Sequence, residues 1–266
     1  MKKKLNVVLL QKKKPRLHAI MERLFGHQIS GVIKTIRKLK ASGKYDEEGH
    51  HVFLFPEDYV NSFYKVNHSK TKKKIKKIQA ELPDNWALAF NYNELIGKIP
   101  GLLNPSRQKT SSTGYLITRE GHTAFPKREF TQLEGMKAKK ERKNLEKEYY
   151  SWKKRKNRIR DWSPASVAFG GHEIEHWVCG DVRIANKFKN SIALVSARDL
   201  NAEHWYSERI GINKFHELRP IIIVNDPEAG SAAIINGKQF DVYYAKGLEK
   251  ANEALKHENI EIKIHK

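Results

Sequence analysis

Short apolar runs that alternate with turn residues fill the second half of the chain, and they constrain the fold more than any other feature. After Pro164 come three stretches rich in Val, Ile, Phe and Trp and bounded by Gly, Asp, Asn or Pro, namely SVAFGGHEIEHWVCGDVRI, SIALVSARDL and LRPIIIVND. Such composition is typical of β-strands. Asn236-Gly237 predicts a hairpin turn, and a short helix and the alternating strand IEIKIH follow. Residues 164–266 are therefore expected to be β-rich.

The first half shows helical spacing instead. Apolar residues recur at helical intervals over 17–40, and the segment from Pro56 to Leu82 has a similar pattern. Within it, KKKIKKI places Ile75 and Ile78 on one side and lysines on the other, which makes either a solvated face or a phosphate-contacting one. We predict an α+β (mixed α/β) fold with a helical N-terminal part and a β-rich C-terminal part.

Three regions are expected within the 266 residues, a length that allows one large domain or two packed ones. Residues 1–82 form a mostly helical region. Residues 83–163 hold a Pro-Gly-Leu segment and a long basic helix, and a hairpin or irregular loop is expected near 114–118. Residues 164–266 form the β-rich region, whose end, 226–266, looks like an addition.

Charge is the dominant feature of the composition. The chain has 51 Lys and Arg against 30 Asp and Glu, a formal net charge of +21. Such a surplus repels itself in a compact state, so it indicates a polyanionic partner, although a merely lysine-rich protein is the alternative. The single Cys179 excludes a disulfide framework and fits a reducing compartment. No run of 18 apolar residues exists, so we expect no membrane association and a cytoplasmic, nucleoid location.

The stretch GGHEIEHWVCGD contains His-Glu-x-x-His, the pattern of zinc metalloproteases. On a helix, His172 and His176 would share one face and one Zn²⁺, and Glu173 would hold the attacking water. On a strand the two histidines lie about 13 Å apart. Ile174 and Trp177 favour a strand, glycines flank the stretch, and no extended third-ligand pattern comes after it. We therefore expect a strand and no zinc site.

Other catalytic patterns are weaker. Asp181 and the run SIALVSAR are faintly similar to the metal-binding core of restriction-type nucleases, but Ser196 and Arg198 stand where that core needs a carboxylate and a lysine. No glycine-rich phosphate-binding motif is present. Cys179 lacks any sign of activation as a nucleophile and is expected to be a buried small hydrophobe. No catalytic residue, metal or cofactor is predicted.

The basic clusters favour contact with nucleic acid. Lysine and arginine neutralise phosphates and release counterions, and a two-stranded ribbon with polar side chains fits the major groove. The run CGDVRIANKFK offers Arg183, Asn186 and Lys187 as base-reading candidates, with a solvated turn as the alternative. The further basic residues expected to contact DNA are Lys127, Arg128, Lys153, Lys154, Arg155, Lys156, Arg158 and Arg160.

The order of several pieces resembles a known family. KNLEKEYYSW is followed after a gap by IEHWVCGDVRIANKFKNSIALVSARDL and LRPIII, and ELPDNWALAFNYNELIGKIPGLLNPSR lies upstream. This order is similar to that of the Tus family of replication terminator proteins, which has a Leu-Glu-basic-Glu-Tyr helix, a Trp-x-x-Gly-Asp turn and a strand ending in Arg-Asp. The resemblance covers 83–224 with gaps.

The resemblance implies a monomer of two α/β parts, with antiparallel strands between them that form a basic DNA-binding cleft. These strands would enter the major groove of a Ter-like duplex and stop a replicative helicase. Asn104 and Arg107 match base- or backbone-contacting positions of the family, and the strand after Asp181 would line the groove.

Gly101 and Leu102 match part of the family's pocket for a flipped cytosine. The other pocket positions fall at Tyr92 and Ile96, where the family has Phe and His, so the base-capture pocket is expected to be altered or absent. The leading hypothesis is a non-enzymatic protein that binds double-stranded DNA at a specific sequence and blocks a replication fork. A metal-dependent DNA nuclease and a structured-RNA-binding protein are the alternatives.

Overall fold

Two β-sheets form the framework of the chain that the structure describes. The structure is a computed structural model that describes residues 2–11, 29–45, 49–57, 59–65, 68–95, 110–126, 164–179, 182, 185, 187–197, 215–227 and 230–265. Both sheets mix parallel and antiparallel pairs, and each has a parallel centre.

The first sheet has seven strands, in the order β13-β1-β2-β4-β5-β6, with β3 also paired to β4. The strands β13, β1, β2 and β4 run parallel, β5 reverses direction, and β6 reverses it again. Their bounds are β1 Leu5–Leu10, β2 His50–Leu54, β3 Val60–Lys65, β4 Trp86–Leu95, β5 Thr110–Thr118, β6 His122–Pro126 and β13 Ile260–His265.

The second sheet has six strands, in the order β12-β11-β10-β9-β8-β7, and its three central strands β8, β9 and β10 are parallel. All five residues of β9 and all five of β10 are buried, as is typical of strands covered on both faces. Their bounds are β7 Ala165–Phe169, β8 His172–Val178, β9 Ile192–Ser196, β10 Ile221–Asn225, β11 Ala232–Ile235 and β12 Lys238–Asp241.

The two sheets pack face to face. In β2 the side chains alternate, because Val52 and Leu54 join the core between the sheets while Phe53 and Phe55 join the core on the outer face. The inner core continues across the interface, where the ring of Phe125 in β6 meets His176 in β8 with centroids 6.0 Å apart. The stacking therefore places β7 and β8 of the second sheet against β5 and β6 of the first. It also places β8 and β9 against β4.

Helices cover the outer face of the first sheet. Helix α1 (Ile29–Ala41) and helix α2 (His68–Glu81) pack together, and Ile36, Ile75 and Ile78 reach the outer core. The predicted apolar side of KKKIKKI is confirmed, since both isoleucines are buried and Lys72, Lys73, Lys76 and Lys77 are exposed.

Two further helices belong to the C-terminal part. A single turn, α3 (Phe215–Leu218), precedes β10, and α4 (Ala245–Leu255) packs against β11, β12 and β13. A 3₁₀ turn, Lys256–Glu258, leads into β13. Because β13 pairs with β1, the last strand of the chain completes the sheet that the first half builds.

The predicted fold class is wrong. Residues 2–126 contribute six strands in the described ranges, so the N-terminal part is not a helical region set against a β-rich one. No antiparallel ribbon spans a cleft between two α/β parts in the portion of the chain that the structure describes; instead two mixed sheets stack on each other. The sequence pattern predicted a helix from Pro56 to Leu82, but Val60–Lys65 forms strand β3.

The shorter elements agree closely with the predictions. Strands over 165–178, 192–196 and 221–225 and the hairpin that turns at Asn236-Gly237 are confirmed. The hairpin or irregular loop expected near 114–118 is found slightly later, as the hairpin of β5 and β6 that turns at 119–121. The division into three regions stays a prediction. Among the described residues, no helix is long and apolar enough to cross a membrane.

Candidate active site

The parallel strands of both sheets end at one shared edge of the sandwich. After β2 the main chain meets the end of β9, because the Ser196 hydroxyl donates to the Phe55 carbonyl oxygen over 2.7 Å. At the end of β10, Asn225 Nδ2 donates to the Leu54 carbonyl oxygen over 2.6 Å. Ligands of α/β proteins bind beyond the carboxyl ends of parallel strands, so a site is expected at this edge.

Cys179 lies at this edge, directly after the last residue of β8. Its φ is 43°, in the left-handed region that residues other than glycine seldom adopt. The other described non-glycine residues with positive φ are Asn236 and Asn259, and asparagine tolerates that conformation in turns. A strained residue on a sharp turn after a strand is the geometry that presents a nucleophile at a sheet edge. Cys179 is buried and forms no disulfide.

Glu57 lies at the same edge, three residues after the end of β2, and is 8% exposed. The segment 55–57 is held by hydrogen bonds to both sheets. The Phe55 N–H donates to the Ala89 carbonyl of β4 over 2.9 Å, and the Glu57 N–H donates to the Ala197 carbonyl after β9 over 3.2 Å. Pro56 between them has no N–H and a restricted φ, so the carboxylate stands on a stiff support.

The strand register places Cys179 and Glu57 at the same edge, each next to Ala197. In the parallel ladder Val178 of β8 is the partner of Ser196 of β9, so Cys179 and Ala197 are the next residues on neighbouring strands, which lie about 5 Å apart. Ala197 is also the residue whose carbonyl accepts the Glu57 N–H. Ala197 is therefore next to Cys179 by strand register and binds the main chain of Glu57.

His176 lies below this site in the interior between the sheets. Its Nε2 is 2.9 Å from the Ser196 hydroxyl. Burial is the main cause that lowers its pKa to about 3 from the ordinary value of 6.5, so the imidazole is neutral at physiological pH. A neutral ring with one N–H is able to donate to Ser196 while Ser196 donates to Phe55.

The His-Glu-x-x-His segment is β8, as predicted, and His172 and His176 do not share a site. His172 Nε2 is 2.9 Å from the Lys3 carbonyl oxygen, at the opposite end of the strand from Cys179. The described residues hold no group of three or more His, Cys, Asp or Glu side chains placed to bind a metal ion. The nuclease alternative needs a carboxylate on the second strand, and Ser196 stands at that position. Its hydroxyl contacts the Phe55 carbonyl oxygen and His176 Nε2.

A buried ion pair supports the outer face of β8. Arg219 Nε donates to Glu175 Oε2 over 2.6 Å, Trp177 Nε1 donates to the same oxygen over 3.1 Å, and Lys189 Nζ lies 2.9 Å from Oε1. Burial raises the pKa of Glu175, but the hydrogen bonds from Arg219 and Lys189 outweigh it and hold the pKa below its ordinary value. The carboxylate is thus ionised and structural.

Most residues predicted to bind DNA lie outside the described ranges. The exceptions are Lys187, whose side chain is exposed and whose carbonyl accepts from Arg219, and Tyr92 of the doubtful base-capture pocket, which is buried in β4. The residues outside the described ranges are Asn104, Arg107, Lys127, Arg128, Lys153, Lys154, Arg155, Lys156, Arg158, Arg160, Arg183, Asn186, Ile96, Gly101 and Leu102.

Sequence reasoning missed both residues of the candidate site. Cys179 was expected to be only a buried small hydrophobe, and Glu57 received no role. The available signals were a lone cysteine directly after an apolar strand and before a glycine, and a Phe-Pro-Glu sequence directly after another. A lone cysteine that forms no disulfide is one pattern in which a nucleophile occurs.

No protein-family model and no curated protein matches the chain. Solved structures similar to it include an amidase from Nesterenkonia sp., with 12% identity, 88% of this chain and 84% of that chain covered, and a TM-score of 0.47. A CN-hydrolase superfamily protein from Xanthomonas campestris with an arsenic adduct in its active site has 13% identity, coverages of 80% and 79%, and a TM-score of 0.41.

A third match is a mutant of the amidase from Nesterenkonia sp. AN1 that shows covalent addition of the acetamide moiety of fluoroacetamide at its active-site cysteine. It has 11% identity, coverages of 87% and 82%, and a TM-score of 0.45.

These findings correct the family and the function predicted from the sequence. The resemblance to Tus is wrong, because the described residues form two stacked mixed sheets and not two α/β parts joined by antiparallel strands. The solved chains similar to this one are amidases and a CN-hydrolase superfamily protein. The strand expected to line a DNA groove is β9, and all five of its residues are buried. A strand without an exposed side chain has nothing to present to a base edge. The predictions of replication termination and of a protein without enzymatic activity are therefore wrong, whereas the duplex-DNA and helicase partners and the monomeric state stay predictions.

Proposed function

We propose that this chain is a cysteine-dependent hydrolase of amide-type carbonyl compounds, with Cys179 as the nucleophile and Glu57 as the general acid and base. One observation carries the proposal. A cysteine with a left-handed φ follows a parallel strand, and the residue beside it, Ala197, holds the main chain of a buried glutamate. A nucleophile with a base in reach is the minimum that acyl transfer needs.

In the first half of the reaction Glu57 takes the proton of the Cys179 thiol as sulfur attacks the carbonyl carbon of the substrate. The carbon–nitrogen bond then breaks, and Glu57 gives the proton to the departing nitrogen, which leaves as an amine or ammonia. The product on the enzyme is a thioester at Cys179.

In the second half Glu57 accepts a proton from a water molecule as the water oxygen attacks the carbonyl carbon of the thioester. The carbon–sulfur bond breaks, the thiol is re-formed with the proton from Glu57, and a carboxylic acid leaves. Both residues are buried, which strengthens the interaction between the carboxylate and the thiol compared with one in water.

Amides are the substrate class to test first, because a departing nitrogen needs the proton that a protonated Glu57 is able to supply. Fluoroacetamide is a suitable probe because it is a small neutral amide that carries a displaceable fluoride. Attack of the thiolate on its methylene carbon displaces fluoride and leaves an acetamide group on sulfur, as at the active-site cysteine of the amidase mutant.

The test is incubation of the full chain with fluoroacetamide, followed by peptide mass spectrometry, together with ammonia release from a panel of small amides. We expect labelling of Cys179 in the wild type and none in Cys179→Ala. Glu57→Gln should slow both labelling and ammonia release by at least about 100-fold, the usual contribution of a general base.

Glu173→Gln is the matched control, because Glu173 is an exposed carboxylate on β8, the same strand that leads to Cys179. It should label and hydrolyse like the wild type. Equal rates in Glu57→Gln and Glu173→Gln, or no reaction at Cys179 with any amide, would remove the proposal.

A further inference from the structure

A chain of buried hydrogen bonds joins the strand of the nucleophile to the support of the carboxylate. His176, three residues before Cys179, contacts the Ser196 hydroxyl over 2.9 Å, and that hydroxyl donates to the Phe55 carbonyl oxygen over 2.7 Å. Phe55 comes two residues before Glu57. The chain of bonds therefore crosses from the second sheet to the first at the level of the candidate site.

The proton positions in this chain follow from simple counting. A serine hydroxyl has one hydrogen, and in this geometry it points to the Phe55 carbonyl, so Ser196 accepts from His176. His176 therefore carries its proton on Nε2. Because the ring is neutral, both links are N–H to O and O–H to O bonds in a buried interior, where such bonds reinforce each other.

The end of β9 thus holds the Phe55-Pro56-Glu57 segment at two adjacent points. The Ser196 side chain binds the carbonyl before Pro56, and the Ala197 carbonyl accepts the N–H after it. Asn225 of β10 adds a bond to the preceding carbonyl, that of Leu54. His176 and Ser196 are both completely buried. Buried polar side chains in proteins usually have hydrogen-bond partners.

We infer that His176 and Ser196 are positioning residues of the active site, which hold Glu57 at reaction distance from Cys179 without touching the substrate. The inference rests on the proposed function, because it assigns the device that sets the distance between its two reacting groups. A displacement of about 1 Å in such a group is enough to cost a large part of the rate.

The test compares two alkylating probes at Cys179 in the full chain. Iodoacetamide needs only an accessible thiolate, whereas fluoroacetamide has a poor leaving group and needs the organised acid and base of the site. The ratio of the fluoroacetamide rate to the iodoacetamide rate therefore measures the arrangement of the site and cancels changes in exposure or in the folded fraction.

We expect Ser196→Ala to lower this ratio about tenfold. Ser196→Thr keeps the hydroxyl and should restore most of it. His176→Phe, which removes the donor but keeps the ring, should also lower the ratio, and it tests the inference by a second route if Ser196→Ala folds poorly.

Ser191→Ala is the matched control. Ser191 is a buried serine at the other end of β9, and its hydroxyl has no hydrogen-bond partner among the residues that the structure describes. Its removal should leave the ratio at the wild-type value. A fall of the same size in Ser191→Ala, or a wild-type ratio in Ser196→Ala and His176→Phe while Glu57→Gln lowers it, would overturn the positioning role alone. A ratio in the wild type that Glu57→Gln does not change would instead overturn the proposed function.

Discussion

At the scale of single residues, His176 links stability to pH. Burial is the cause that lowers its pKa from 6.5 to about 3 in the folded chain. Above pH 6.5 the ring is neutral in both the folded and the unfolded chain, so it has no effect. Below pH 6.5 the unfolded chain binds a proton that the folded chain does not, and stability falls until pH approaches 3.

We therefore expect the free energy of unfolding to decrease by about 1 kcal/mol for each pH unit on this account alone. His176→Gln removes the titrating ring and should make the pH dependence shallower by that amount between about pH 6 and pH 4. Urea unfolding at a series of pH values measures it. Ser191→Ala, which removes a buried polar group that does not titrate in this pH range, should keep the wild-type slope. Identical slopes in the wild type and His176→Gln would show that this ring is not buried.

The residues of the candidate site show which features the sequence predicts and which it does not. The strand that leads to Cys179 was predicted correctly, because its Val, Ile and Trp content is local information. Its positive φ and its closeness to Ala197 are not local, since they depend on how β8 and β9 pair. Glu57 is 122 residues away along the numbering of the chain. Only the stacking of the two sheets brings it to the same edge as Cys179.

At the scale of elements, strands with turn residues at their ends were predictable and the first half of the chain was not. The hairpin at Asn236-Gly237 has φ values of 49° and 79°, the left-handed pair that this dipeptide adopts readily. In contrast, Val60–Lys65 is a strand in which tertiary pairing with β4 overrode the expected helix.

Helix α4 provides a test in which packing opposes helix propensity. Gly247 lies in its first turn, and a β-carbon there would collide with the main-chain carbonyl of Asp241 at the end of β12. Alanine is favoured over glycine by about 1 kcal/mol in an unconstrained helix. We expect Gly247→Ala instead to destabilise the chain by about 1–3 kcal/mol, measured by urea unfolding, because the helix must move off β12.

The control is Gly121→Ala, in the turn between β5 and β6, where a β-carbon would meet nothing within 4 Å among the described atoms. Its free energy of unfolding should stay close to that of the wild type. Stabilisation by Gly247→Ala would contradict the close contact between α4 and Asp241.

The end of β6 gives a further prediction at this scale. β6 and β4 both pair antiparallel with β5, so they run in the same direction, and Pro126 and Tyr92 are both partners of Thr113. By register Tyr92 is three residues beyond Ala89, the partner of Leu54, so it is level with Glu57. Pro126 therefore ends β6 level with Glu57 along the strand direction, with β4 and β5 between β6 and β2.

The residue after Pro126 in the sequence is Lys127, which lies outside the described ranges. A lysine close to a reacting thiol favours the thiolate and neutralises the charge that forms on the carbonyl oxygen. We expect Lys127→Ala to slow fluoroacetamide labelling of Cys179 by at least about tenfold, with unfolding unchanged. Lys187→Ala, at an exposed position, is the control. Equal labelling in both variants would exclude this role for Lys127.

At the scale of the whole molecule, the order of the strands along the chain does not predict how they pair in the sheets. Strands distant in sequence lie side by side, such as β1 beside β13 and β2 beside β4. No period or composition reveals such pairings, because they result from burying both faces of β1, all six of whose residues are buried. Residues 226–266 looked like an addition in the sequence, but they supply outer strands to both sheets.

An edge of the first sheet depends on a contact from this C-terminal part. β13 is the outer strand beside β1, and on the side away from β1 the Asn252 amide of α4 makes both possible bonds to Ile262. Asn252 Nδ2 donates to the Ile262 carbonyl over 3.1 Å, and the Ile262 N–H donates to Asn252 Oδ1 over 2.7 Å. One side chain thus imitates a neighbouring strand and covers an edge on which another chain could pair.

We expect Asn252→Ala to lower the free energy of unfolding by about 1–3 kcal/mol, because the N–H and the carbonyl of Ile262 both lose a part-buried partner. It should also promote self-association, because the uncovered edge of β13 then offers two main-chain groups to a second chain. Urea unfolding and concentration-dependent sedimentation measure the two effects. Glu253→Ala, at the exposed neighbouring position of α4, should change neither. Loss of stability without association would mean that α4 still covers the edge by packing alone, whereas no change in either would show that the amide bonds contribute nothing to closing the sheet.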